Sequence, residues 1–263
     1  MKKSNLFAAS LAGAALSFGS TATQAQDGVR TVDSRTSIFG AGNAGVSADG
    51  SGLVPVPFLL NPGSGRVLTF ASVTGSVGAT GNQGWGPDGG NFANIPVNIT
   101  SFGGISGVID RSVDHNLGLL GVFTAGVPSG PAPARLDFSS LHGNPTLSPL
   151  LNQTIFIGDG LTGTGVGAVQ RYFVPGGASA FYLGFADATV FQGTPGTYNN
   201  NGGSLTANFT IVPEPGILNL VALGLFAGAV ICCGRRFATN ESACTGSLAA
   251  PRFFPQWARR RRT

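Results

Sequence analysis

The sequence predicts an all-β protein: a β-sandwich or jelly-roll-like outer domain followed by one C-terminal transmembrane helix. Glycine supplies 42 of the 263 residues, well above the usual ~7%, and follows no fixed period, which indicates many tight turns. Short β-branched and aromatic runs lie between the glycines, and several alternate apolar with polar residues, the period of a half-buried strand. An apolar segment at 216–234 is long enough to cross a bilayer.

The outer region contains a series of runs that we predict to be strands. In chain order these are 66–73, 95–100, 105–110, 117–124, 134–138, 153–159, 168–175, 179–187 and 204–212. Short strands separated by frequent turn signals are typical of a sandwich or jelly roll. In the last run, the apolar side chains at alternate positions are expected to face the core; these are Leu205, Ala207, Phe209 and Ile211.

Composition divides the chain into five parts. A secretory signal peptide is predicted at 1–25, because two lysines precede an apolar run too short to span a membrane, and small residues lead to cleavage between Ala25 and Gln26. The remaining parts are an irregular lead rich in Gly, Ser and Pro with one or two strands (26–64), the sandwich domain (65–212), a segment with the transmembrane helix (213–236) and a basic tail (237–263).

The net charge of +4 is unevenly distributed. Residues 26–212 hold six Arg and nine Asp and are mildly acidic, whereas the excess positive charge lies in the two terminal segments. A nucleic-acid-binding role is therefore not indicated, because no basic face belongs to the outer domain. Two arginines directly after the apolar segment predict that the helix end near 236 is cytoplasmic and the outer domain is exported.

No pattern of catalytic residues stands out in the outer domain. Its histidines are His115 and His142, each with an aspartate nearby in sequence (Asp114 and Asp137), but no Ser or Cys lies in the context of a nucleophile. We therefore predict that the protein is not an enzyme. All three cysteines lie at 232–244, so the outer domain is expected to fold without a disulfide, and a bound metal could assist it.

The C-terminal segment combines Pro213, Glu214 and Pro215 with the apolar helix and then Arg235 and Arg236. This arrangement resembles the PEP-CTERM sorting signal of exported proteins of Gram-negative bacteria. The resemblance implies an exosortase-type enzyme as partner, anchoring in the inner membrane by the one helix before processing, and then release to the cell surface or extracellular matrix. An ordinary permanent anchor is the alternative, and the tail at 237–263 departs from the family pattern, which leaves processing of this chain open.

Two further stretches, FADATVFQGTPGTYNNNGGSLTANFTI (185–211) and GNQGWGPDGG (81–90), resemble the PA-IL family of galactose-binding lectins, small β-sandwich proteins. The resemblance implies a Ca²⁺ site with the Asp187 carboxylate, the Thr197 carbonyl and the side-chain oxygens of Asn200 and Asn201. Oxygen donors of this kind suit Ca²⁺, which takes six to eight of them.

In those lectins the ion also binds two vicinal hydroxyls of a sugar, and here Trp85 and Tyr198 are candidates to stack on the sugar face. The insertion at 188–194 and the lack of a His and a Gln after the Trp-Gly-Pro turn mean that galactose specificity does not transfer. We therefore expect an exported cell-surface or matrix protein that binds carbohydrate through calcium, with surface polysaccharide as the candidate partner. The alternative is a structural envelope or exopolysaccharide-matrix protein with no small-molecule ligand, in which the asparagine-rich loop is an unoccupied turn.

Overall fold

The computed structural model describes residues 24–43, 45–80 and 84–214. The regular secondary structure of these residues consists of β-strands and single-turn 3₁₀ helices. The all-β prediction is therefore confirmed for this part of the chain. Among these residues there is no helix with the length and apolar character needed to cross a bilayer. The predicted helix at 216–234 and most of the predicted signal peptide lie outside the described residues.

The strands are short, with three exceptions at β1, β3 and β14. In order they are β1 (Gln26–Asp33), β2 (Phe58–Leu59), β3 (Arg66–Ala79), β4 (Val97–Ile99), β5 (Val108–Asp110), β6 (Leu120–Thr124), β7 (Thr146–Leu147), β8 (Thr154–Phe156), β9 (Leu161–Gly163), β10 (Val166–Val169), β11 (Arg171–Phe173), β12 (Ala180–Gly184), β13 (Gln192–Gly193) and β14 (Asn201–Pro213). The 3₁₀ turns are Ile38–Gly40, Phe138–Ser140, Thr189–Phe191 and Tyr198–Asn200.

The larger sheet has five strands in the order β1-β14-β3-β11-β7. Strand β14 runs antiparallel to both of its neighbours. Its predicted alternation is confirmed, because Leu205 and Ala207 are 0% exposed and Phe209 and Ile211 are 2% exposed, while the polar residues between them are not buried. The period-two pattern therefore determines which face of this sheet is apolar.

A second sheet has four strands in the order β2-β12-β6-β8, and its aromatic side chains pack against those of the larger sheet. Phe209 on β14 lies 5.0 Å from Phe58 on β2 and 5.7 Å from Phe181 on β12, measured between ring centroids, both in edge-to-face arrangements. Phe70 on β3 also contacts Phe181 at 6.5 Å. These rings form the centre of the hydrophobic core between the two sheets.

The lead at 26–64 contains two strands, β1 and β2, in agreement with the one or two that the sequence predicts. Strand β1 pairs with β14 along its whole length, from Gln26 opposite Ile211 to Asp33 opposite Ser204. Strand β2 pairs with β12 in the second sheet. The lead therefore supplies an edge strand to each of the two facing sheets rather than preceding the fold.

One predicted strand, 134–138, does not form as a strand. Asp137 instead makes a single bridge with Ile109 and caps the 3₁₀ turn Phe138–Ser140, where its side chain accepts the Ser139 N–H at 3.2 Å. Aspartate two residues before a serine N–H favours such a turn over a ladder.

A three-stranded sheet, β13-β4-β5, lies between the regions that carry the candidate site residues. Strand β5 ends at Asp110. Strand β13 lies in the connection between Asp187 and the asparagine-rich loop. Strand β13 pairs with β4, and β4 pairs with β5. One small sheet therefore connects the segment that follows Asp187 with the strand that ends at Asp110.

Candidate functional site

The asparagine-rich loop (195–201) is held in a defined conformation by backbone and side-chain contacts. Pro195 bridges to Ala188, and the Gly196 N–H donates to the Asp187 carbonyl at 3.0 Å. Thr197 then adopts a left-handed conformation with φ 68°, after which a 3₁₀ turn leads into β14 at Asn201. A threonine with positive φ is uncommon and persists only where its surroundings fix it.

Asp49 in the lead supplies much of that fixation. Its Oδ2 accepts the Thr197 N–H at 2.8 Å, while its Oδ1 accepts from the hydroxyls of Ser47 and Ser51 and from the Ser51 N–H. Burial raises the pKa of Asp49, but the hydrogen bonds from Ser51, Thr197 and Ser47 outweigh it and hold that pKa well below its usual range. The carboxylate is therefore ionised and organises the loop.

Asp187 follows β12 and is 3% exposed. Its Oδ1 accepts the Ala188 N–H at 2.7 Å. Burial raises the pKa of Asp187 to about 7, although the neighbouring Asn201 amide and Thr197 hydroxyl lower it, and the charge of Asp49 raises it further. A buried carboxylate with few donors is costly when ionised, and a cation would relieve that cost.

The structure brings together the four residues that the sequence proposes as calcium ligands. Asp187, Thr197 and Asn200 line one cavity of about 230 Å³. The Asn201 side chain, 8% exposed, lies beside the Asp187 carboxylate. We call these four residues the Asp187 cluster.

The amide oxygens of the cluster differ in their surroundings. Asn201 Nδ2 donates to the Ser34 carbonyl at 3.3 Å, but its Oδ1 is buried and has no hydrogen-bond partner among the described residues. A buried acceptor without a donor costs about 1–3 kcal/mol. Asn200 Nδ2 donates to the Thr80 hydroxyl at 3.0 Å, and the Thr197 carbonyl accepts only a long bond, 3.4 Å, from the Asn200 N–H.

Neither of the two aromatic residues proposed to contact a sugar lines this cavity. Tyr198 is 0% exposed, so its ring cannot stack on a ligand. Its hydroxyl accepts from Ser37 Oγ and the Asp187 N–H and donates to the Phe185 carbonyl, which makes it a positioning residue for Asp187. Trp85 pairs with Val77, its ring packs against Gly90, and it is not among the residues that line the cavity.

A second polar cluster contains both histidines of the chain and was not predicted in this form. Asp110, at the end of β5, is 1% exposed, and its Oδ2 lies 3.1 Å from His115 Nδ1 and 2.6 Å from His142 Nε2. The two imidazoles lie 3.9 Å apart between ring centroids. Burial raises the pKa of Asp110, but the hydrogen bonds with both histidines outweigh it and lower that pKa to about 2.

The sequence offered a different partner for each histidine. Asp137 forms an ion pair with Arg111 at 3.2 Å and caps a turn. Asp114 accepts a hydrogen bond from Asn91. Asp110 is the carboxylate that both histidines share, and its strand position gave no local signal for this, because His142 comes from a turn 32 residues later.

The terminal predictions are only partly covered by the described residues. Ala25 is exposed, and Gln26 is the first residue of β1. Pro213 is the last residue of β14, and Glu214 forms a 3.5 Å ion pair with Arg171. Pro215, Arg235 and Arg236 lie outside the described residues.

Comparison with protein-family models, with curated proteins and with solved structures finds no match to this chain.

Proposed function

We propose that this chain is an exported cell-surface or matrix protein whose β-sandwich domain binds Ca²⁺ at the Asp187 cluster and, through that ion, carbohydrate. One observation carries the proposal: Asp187, Thr197, Asn200 and Asn201 come together around a buried carboxylate and an unpartnered amide oxygen. A hard divalent cation would satisfy both groups with oxygen ligands.

Binding of the ion would involve a simple change at Asn201. Its Nδ2 faces the Ser34 carbonyl and lies near the Asp187 carboxylate. Rotation of the amide by half a turn would present Oδ1 to a cation held by Asp187, so the unpartnered acceptor would become a ligand. Asp49 would remain outside the ligand set, since its oxygens are occupied by Ser47, Ser51 and Thr197, and would contribute negative charge and loop order.

The cavity beside the cluster is the proposed place for the sugar. Besides the cluster residues, its lining includes Phe92 and Val190, and Val190 is 48% exposed. Vicinal hydroxyls would complete the coordination of the ion while the apolar C–H face of the sugar packs against these side chains. Phe92 and Val190 would take the role that the sequence assigned to Trp85 and Tyr198.

The sorting part of the proposal rests on the sequence of the C-terminal segment. A signal peptide ending at Ala25 and the Pro213-Glu214-Pro215 signal with its helix and arginines would export the domain, anchor it in the inner membrane, and present it to an exosortase for release. We assign the exported domain a binding role and no catalytic role.

The second candidate is a structural matrix protein of the same fold with no ligand. It is favoured by the fact that Asp49 and Tyr198 already hold the loop through hydrogen bonds. In that case the cluster would be a rigid turn, and added calcium would leave the stability unchanged.

Thermal unfolding of the full-length chain in detergent, with Ca²⁺ or with chelator, separates these candidates. Ligand at 100 times its Kd adds about 2.7 kcal/mol to the free energy of unfolding, which would raise Tm by roughly 5–10 °C. Asp187→Asn should abolish the rise, whereas Asp114→Asn, which changes an exposed aspartate that does not line the cavity, should retain it. An unchanged Tm at 10 mM Ca²⁺, or an equal rise in the Asp187→Asn variant, would leave the structural candidate.

Binding to a glycan array in Ca²⁺ and in chelator then tests the carbohydrate. Glycan binding that chelator removes and that the Asp187→Asn variant lacks would support the carbohydrate proposal. Glycan binding that is unchanged by chelator and by Asp187→Asn would contradict it.

A further inference from the structure

We propose that Asp110 Oδ2, His115 Nδ1 and His142 Nε2 form a second metal site, specific for a divalent transition metal ion of the Zn²⁺ class. These three atoms lie within 4.8 Å of one another. The site shares no residue with the Asp187 cluster and uses different donor atoms. The zinc proposal can therefore be tested independently of calcium binding.

The donor set favours zinc over calcium. Two imidazole nitrogens with one carboxylate oxygen is a combination that Zn²⁺ binds readily, whereas Ca²⁺ prefers oxygen donors alone. The Asp187 cluster offers only oxygens. The two clusters therefore select different ions.

The distances fit an ion after a small movement. Asp110 Oδ2 lies 3.1 Å from His115 Nδ1 and 2.6 Å from His142 Nε2. A tetrahedral Zn²⁺ with bonds of about 2.0–2.1 Å holds its ligand atoms about 3.3 Å apart. Separating each nitrogen from the oxygen by less than about 1 Å would admit the ion.

Contacts behind the ligands hold them in place. Asp110 Oδ1 accepts the Ser112 N–H at 2.9 Å, which turns Oδ2 toward the histidines. The His142 carbonyl accepts from Gln170 Nε2 at 3.1 Å, and the ring of Phe156 meets that of His142 edge-on at 4.4 Å. Supporting contacts of this kind orient metal ligands and are worth about 10- to 100-fold in affinity.

The surroundings indicate a structural rather than a reactive ion. A cavity of about 10 Å³ borders Asp110 and His115, room for about one water molecule and too small for a substrate. The ion would join Asp110 and His115, at the end of β5 and in the segment that follows it, to the turn that carries His142. This would be a cross-link in a domain whose sequence between 26 and 212 has no cysteine.

The competing explanation is a cluster held by hydrogen bonds alone, with a histidine as the cationic partner of Asp110. The test uses the full-length chain in detergent, without a polyhistidine tag, stripped by chelator, and with Cys232, Cys233 and Cys244 changed to serine so that no thiol binds metal. Since the chain has 2 histidines, any zinc binding that requires histidine must occur at this cluster.

We expect one Zn²⁺ per chain by competition with a chromogenic indicator, a rise in Tm with zinc, and visible absorption of bound Co²⁺ typical of a four-coordinate site. His115→Ala and His142→Ala should each weaken zinc binding at least about 100-fold. Asp33→Asn, which changes an aspartate of the lead that pairs with Arg35, is the matched control and should bind zinc as the parent does. Failure to bind zinc stoichiometrically, or histidine variants that bind zinc as tightly as the parent does, would overturn the proposal.

If a histidine variant does not fold, the parent chain decides the question alone. Zinc bound at the cluster should slow acylation of both imidazoles by diethyl pyrocarbonate, read by peptide mapping, while an equal concentration of Ca²⁺ should not. Unprotected histidines in saturating zinc would overturn the proposal without any variant.

Discussion

The Asp49 carboxylate accepts the backbone N–H of Thr197 at 2.8 Å, across 148 residues of sequence. Through this contact the N-terminal lead fixes the left-handed residue at the centre of the asparagine-rich loop. A side chain outside the proposed ligand set therefore holds the backbone of one proposed ligand, Thr197, in place. The lead is part of the candidate site and not only of the fold.

Replacing Asp49 should weaken calcium binding without removing a ligand. We expect Asp49→Ala to lower Ca²⁺ affinity about 10- to 100-fold, because the loop loses the group that orders it. Isothermal titration of the full-length chain measures this. Asp33→Ala is the matched control, since that aspartate of the lead pairs with Arg35 and not with the loop. Equal affinity of Asp49→Ala and Asp33→Ala would mean that the loop does not depend on Asp49.

Calcium binding should weaken as the pH falls below about 7. The pKa of Asp187 is raised to about 7 by burial, with the charge of Asp49 adding to the rise. Because Ca²⁺ binds the ionised carboxylate, protons compete with it over this range. Titrations at pH 5.5, 6.5 and 8 should show a falling affinity toward acid, and a flat profile would show that Asp187 is not a ligand.

Without calcium, the same group should make the fold less stable as the pH rises. The unfolded chain releases the Asp187 proton near pH 3.8, whereas the folded chain keeps it until about pH 7. The folded state thus binds more protons between these values, and the free energy of unfolding falls with rising pH. Denaturant unfolding in chelator should show this fall as a difference between the parent and Asp187→Asn, which isolates the group from other titrations. A difference that does not vary with pH would contradict the raised pKa.

Tyr198→Phe should destabilise the fold although it keeps the buried ring. Its hydroxyl accepts from the Asp187 N–H and donates to the Phe185 carbonyl, so its removal leaves buried polar groups without partners, at a cost of about 1–3 kcal/mol. Chemical denaturation measures the loss. Tyr182→Phe is the matched control, because the Tyr182 hydroxyl makes no hydrogen bond within the described part of the chain, and it should change stability little. Similar values for both variants would remove the positioning role of Tyr198.

The parts of the fold that were predictable are those with a local pattern. The alternation of β14 from Leu205 to Ile211 predicted its buried face, because a strand repeats every two residues. At 134–138 the same reasoning failed, since Asp137 caps a turn and its side chain competes with the ladder. Asp-x-Ser was the signal that could have indicated this.

The candidate sites divide in the same way. The proposed ligands of the Asp187 cluster come from one short stretch, so they could be named together from the sequence. Asp49 and the pairing of Asp110 with His142 depend on contacts across 148 and 32 residues, which no local pattern encodes. The burial of Tyr198 could not be predicted either. The sequence does not distinguish an exposed tyrosine that contacts a ligand from a buried one that supports Asp187.

If the proposed sorting signal is processed, β14 should remain whole. Pro213 is paired with Arg66 as the last residue of that strand, and the Glu214 N–H donates to the Gly65 carbonyl. Strand β14 lies between β1 and β3, so cleavage within it would remove backbone partners from two neighbours. We therefore expect the released protein to begin at Gln26 and to end at or beyond Glu214.

Intact-mass analysis of protein released from the native cell measures both ends. Pro215→Ala should keep the chain in the membrane, because it changes the proposed recognition motif just beyond the folded strand. Arg171→Ala is the matched control: it breaks the exposed 3.5 Å ion pair of Glu214, and such pairs contribute about 0–1 kcal/mol, so release should continue. A product ending before Pro213, or a parent chain that stays full length in the membrane, would contradict processing at this signal and leave the helix as a permanent anchor.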